Sequence, residues 1–65
     1  MPKQPTPQRL AKLMRQWRSE AGLSTAAAGE ELGLSGRTIE NIEQGRGFNA
    51  ARVLEIALLS LLTKS

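Results

Sequence analysis

A hydroxyl residue answered by a glycine recurs three times in this chain, as Thr6 to Gly22, Ser24 to Gly33 and Ser35 to Gly45. Ser and Thr accept a hydrogen bond from an unpaired amide at a helix N-terminus, and glycine takes without strain the left-handed backbone just past a helix end. The pattern predicts three consecutive helices with short joints. Pro7 follows Thr6 and fits the first helical position, where its missing N–H had no partner. Leu10, Leu13, Met14, Trp17 and Ala21 fall three and four apart, one apolar face of the first helix. Ile39 and Ile42 form the buried face of the third. A fourth helix is expected from about Ala50 to Leu62, capped by Asn49, with Phe48 packed at the corner before it. Alternating apolar and polar runs are absent, so strands are not expected. The fold class read from this pattern is all-α, a compact bundle of four or five short helices. It forms one domain over residues 6–65 behind a disordered arm at 1–5, where prolines and polar residues have nothing to bury.

Sixty-five residues bury a smaller fraction of their surface than an average domain. Stability must therefore come from efficient helix packing or from a second copy. There is no Cys and no His, which removes disulfides, thiolate or imidazole metal sites and cysteine nucleophiles together. No cofactor is expected. Glu30 and Glu31 are adjacent on a helix and point in different directions, so they make no acid–base pair, and an enzyme is not expected. The net charge is +3, and Lys3, Arg9, Lys12, Arg15 and Arg18 all precede the first acid, Glu20. Such a basic segment suits an anionic partner or a plain solvated face equally. The N-terminus shows no apolar signal region, and Val53 to Leu62 contains Glu55 and falls short of the ~20 apolar residues of a spanning helix. A cytoplasmic protein of a bacterial cell or phage-infected host, without membrane or small-molecule partners, is expected.

The most informative stretch is residues 22–46, GLSTAAAGEELGLSGRTIENIEQGR. It reads as a short helix, a tight turn at Gly33, Leu34 and Ser35, and a second helix, the joint of a helix-turn-helix. Ala28 and Gly29 are small where the two helices must approach. With Leu34, Ile39 and Ile42 turned to the core, Gly36, Arg37, Glu40, Asn41 and Gln44 point away, and a helix so presented fits a major groove. Trp17 reads as core, because no second aromatic lies near it to form a stacking platform. Glu40 has two readings: a solvated acid repelled by phosphates, or an acceptor for the amine of cytosine.

Arg18 ahead of Gly22-Leu23-Ser24, then Leu32-Gly33-Leu34-Ser35, Thr38-Ile39, Ile42-Glu43 and Gly45-Arg46 together resemble the lambda-repressor-like Cro/XRE family of helix-turn-helix transcriptional regulators, over roughly residues 9 to 60. The resemblance implies a DNA-binding domain whose recognition helix is about Gly36 to Gln44. Arg37 and Asn41 would reach base edges, the first suited to guanine and the second to adenine. Ser35 and Thr38 would touch a base edge or phosphate, and Thr25, Gln44 and Arg46 would contact phosphate, with Arg15 of the basic first helix beside them. Arg18 and Glu43 would be the family's structural ion pair. The chain departs from the family at Thr25, where Gln is common, and at Gly36, where a reading side chain is usual. Small phage regulators, including those that accompany anti-CRISPR proteins, share this compact form.

The last helix is apolar around almost its whole circumference, so it is expected to be buried on more than one side. Leu58, Leu61 and Leu62 are the candidates for a homodimer interface. A two-fold dimer would set two recognition helices about 34 Å apart and favour an inverted-repeat operator in double-stranded DNA. Repression is the expected outcome, because so short a chain leaves little room for a sensor or an activation surface. Some members of the family are antitoxins, and the same helix could instead dock a partner protein. A membrane-lying helix suits it less, since its polar face lacks the Lys/Arg richness that binds lipid headgroups.

Overall fold

A computed structural model describes residues 5–63, and these form four helices with no strand among them. Residues 1–4, most of the expected arm, and residues 64–65 lie outside the described residues. Helix α1 spans Pro7–Ala21, α2 Thr25–Leu32, α3 Gly36–Glu43 and α4 Ala51–Thr63.

The first three begin on hydroxyl caps. Thr6, Ser24 and Ser35 are extended residues whose side chains accept from the amides of Arg9, Ala27 and Thr38, each at 3.1 Å. Such a cap contributes about 1 kcal/mol. Helix α1 ends at Gly22 (φ 68°), where the amides of Gly22 and Leu23 return to the carbonyls of Ser19 and Arg18. Helix α3 ends one residue earlier than the sequence suggests: Gln44 is its C-cap and Gly45, with φ 81°, follows. Helix α4 starts one residue later than expected. The first carbonyl to accept is that of Ala50, from the amide of Leu54, while Asn49 sits in the preceding turn.

Packing runs in series: α2 lies on α3, α3 on α1, and α1 on α4. Leu10 and Met14 of α1, Ile39 and Ile42 of α3 and Leu58 of α4 are fully buried where these helices meet. Trp17 closes the same core at 6% exposure, with Leu23, Leu32, Leu34, Phe48, Leu61 and Leu62 packed around it. Each such side chain contributes about 1.5–3 kcal/mol when fully buried. Ala21, read from its spacing as core, is exposed because α1 ends at Gly22 before another helix covers it.

The joint between α2 and α3 requires a backbone-to-backbone approach. A Cβ on Gly29 would overlap the carbonyl oxygen of Leu34, whose own amide bonds to the Gly29 carbonyl at 2.7 Å. Gly36 meets the first turn of α2 in the same way, its missing Cβ only 3.3 Å from the Cα of Ala26. At that position the absent side chain is what lets α3 start against α2.

Leu58 corrects the expected interface. It is wholly enclosed by its own chain and has no surface to offer a second one. Because α4 is apolar on all sides, periodicity could not show which side faces inward. Ala51, Leu54 and Leu58 do, leaving Val53, Ile56 and Leu59 outside at 68%, 55% and 40% exposure. Leu61 and Leu62 are half-buried at the edge, beside Trp17 and Ala21.

Candidate nucleic-acid interface

Helix α3 is divided lengthwise by its sequence. Ile39 and Ile42 hold one side in the core, which turns Arg37, Glu40 and Gln44 outward as exposed side chains, with Asn41 half-buried beside them. The helix is thus a rod on the outside of the domain, supported from behind by α1 and α2.

At its amino end the hydroxyls of Ser35 and Thr38 lie 2.8 Å apart, and the Ser35 oxygen also accepts the Thr38 amide. The Ser35 hydroxyl thus caps α3, and the Thr38 hydroxyl is paired with it. Thr25, the first residue of α2, donates its hydroxyl to the Glu40 carboxylate at 3.4 Å. This contact ties the start of α2 to the outer face of α3. Sequence reasoning missed it, because the two residues lie fifteen apart and no local pattern joins them.

At the carboxyl end Arg15 Nη2 donates to the backbone carbonyl of Glu43 at 2.7 Å. A guanidinium there meets the negative end of the helix dipole, and its other donors remain for an anion. Past the helix end the Arg46 amide donates to the Asn41 carbonyl at 3.1 Å, and its Nη1 donates to Asn41 Oδ1 at 3.4 Å. That oxygen is the acceptor Asn41 would offer to adenine, so a base and Arg46 compete for it. Arg15, Gln44, Gly45 and Lys12 line one open cleft beside the end of α3. Lys12 joins the phosphate candidates by position, as a neighbour of Arg15 that the motif alone did not single out. Thr25, Ser35 and Thr38 therefore gather at one end of the rod, Arg15, Gln44 and Arg46 at the other, and Arg37 and Asn41 lie between.

Arg18 and Glu43 fix the rod's tilt. The guanidinium faces the carboxylate with both oxygens engaged, Nε to Oε2 at 2.6 Å and Nη2 to Oε1 at 2.9 Å, while Nη1 donates to the Leu23 carbonyl at 3.1 Å. The hydrogen bonds that Arg18 donates to Glu43 raise the arginine pKa above its ordinary value, with burial acting against them. A raised value means that the stability linked to the arginine's own ionisation is fully present below its unfolded pKa and is lost as the pH rises through strong alkali. A second pair, Arg9 Nε to Glu55 Oε2 at 2.6 Å, ties α1 to α4.

Among the described residues no group of His, Cys, Asp or Glu could hold a metal ion, and no helix is long and apolar enough to cross a membrane. A family model described as a helix-turn-helix domain matches residues 9–61. No curated protein and no solved structure is similar enough to the chain to match it.

Proposed function

The chain belongs to the helix-turn-helix domain family, a DNA-binding one, and from that premise we propose that it is a homodimeric, sequence-specific repressor of the Cro/XRE kind. Its α3 lies in the major groove of each half of an inverted-repeat operator. The observation that carries this reading is the outer face of α3. Arg37 and Asn41 project from a rod anchored by Ile39 and Ile42, with Arg15 and Arg46 at its end where phosphates would pass.

Selection from randomised duplexes tests it, since bound sequences report both the half-site and its symmetry. Arg37→Ala is expected to lower affinity for the selected site about tenfold and to make one base position degenerate. A sequence profile identical to the parent's would rule Arg37 out as a reader.

The apolar stripe on α4 supports the dimer. Val53, Ile56 and Leu59 follow at three-residue intervals on one exposed face, and Leu61 and Leu62 flank the buried side. A second copy seated there would bury all three. Ile56→Glu is expected to give monomers by light scattering and weaker operator binding, because a carboxylate in such an interface would be desolvated without a partner. An unchanged dimer would move the interface elsewhere. One observation favours an antitoxin-type reading, in which α4 binds another protein: Val53 also borders an apolar groove with Leu32, Leu34 and Phe48. A parent chain that is monomeric at high concentration would support it.

A further inference from the structure

The outer face of α3 carries one carboxylate among its candidate DNA contacts, and the structure points to its use. Glu40 is exposed, between Arg37 and Asn41, and among the described residues no Lys or Arg lies within ion-pair distance of it. Its partner is the Thr25 hydroxyl at 3.4 Å, contributed by the neighbouring helix. One long hydrogen bond leaves most of the carboxylate's acceptor capacity unused. Close to a duplex, phosphates repel such a group unless a base edge donates to it.

The major groove restricts which base can do so. Guanine presents two acceptors and thymine an acceptor beside a methyl group, so both oppose a carboxylate. Adenine offers an amine, but its N7 acceptor lies alongside. Cytosine offers its N4 amine with no acceptor on its own major-groove edge. We propose that Glu40 is a specificity-determining residue that requires cytosine at one position of each half-site, and that Thr25 is the positioning residue that holds its carboxylate for that contact. The inference rests on the DNA-binding reading above and adds the identity of one base to it.

The test is a randomised-duplex selection run in parallel on the parent chain and on Glu40→Gln, Glu40→Ala and Thr25→Val. The parent should prefer cytosine at one half-site position by about tenfold. Glu40→Gln should move that preference to adenine, whose amine and N7 match a carboxamide, and leave the other positions as they were. Glu40→Ala should make the position degenerate. Thr25→Val keeps the side chain's shape without its hydroxyl and should reduce the cytosine preference while sparing the rest of the profile. If Glu40→Ala instead tightens binding to every sequence with an unchanged profile, Glu40 is only a repulsive charge and the proposal fails. A Thr25→Val profile identical to the parent's removes the positioning role. A parent chain that retains no duplex at low salt overturns the DNA-binding reading itself, a different result from either of those.

Discussion

Glu43→Ala is expected to lower folding stability by about 3 kcal/mol, measured by urea denaturation at neutral pH. Its carboxylate, 11% exposed, satisfies both Nε and Nη2 of Arg18, which is itself 29% exposed. Without it a guanidinium is left between α1 and α3 with only the Leu23 carbonyl to receive it. The loss falls at the low end of the range for buried pairs because Arg18 reaches some water. A chain this size has on the order of 3–10 kcal/mol in total, so the loss removes about a third of it or more. An apolar double replacement, Arg18→Met with Glu43→Leu, should be less destabilised than Glu43→Ala alone, since the intact pair offsets much of its attraction by desolvation. A loss below about 0.5 kcal/mol, as for an ordinary surface site, would show that the pair does not fix α3.

Gly29→Ala is expected to cost about 2 kcal/mol, and the sign makes it diagnostic. In the middle of a helix that substitution normally stabilises by about 0.5–1 kcal/mol. Here the added carbon would overlap the Leu34 carbonyl oxygen and crowd the Ser35 carbon and Gly36 nitrogen at 3.1 and 3.2 Å. All three are backbone atoms, so no side-chain rotation relieves the overlap, and the turn that aims α3 must shift instead. Overpacking of this kind costs about 1–3 kcal/mol. A melting temperature lowered by roughly 10 °C is the expected reading for a domain of this length. A raised one would mean that α2 and α3 can separate without penalty.

Helix ends were legible in the sequence because their chemistry is local. Thr6, Ser24 and Ser35 each bond an amide three residues on, and Gly22 and Gly33 turn the chain within the next residue. The start of α4 was less legible, since Ala50 and Ala51 provide no side-chain cap. Which side of α4 faces inward could not be read at all: a helix apolar all round has no phase, and only the packing of Leu54 and Leu58 against α1 sets it. In the candidate site, the outward direction of Arg37 and Asn41 followed from the spacing of Ile39 and Ile42. The contacts of Thr25 with Glu40 and of Arg9 with Glu55 span fifteen and forty-six residues, and no periodicity carries information over such separations.

The serial packing has a geometrical outcome for any assembly of two copies. Since α1 lies between α3 and α4, tied to one through Glu43 and to the other through Glu55, it acts as a rigid spacer separating the outer face of α3 from the exposed apolar stripe of α4. In the proposed dimer the distance between the two α3 helices would then follow from bulk at the α1–α4 seam and not from the residues that would meet the bases. Enlarging a seam residue such as Ala51, buried beside Leu10 of α1, should change how many base pairs separate two half-sites while leaving the half-site itself the same.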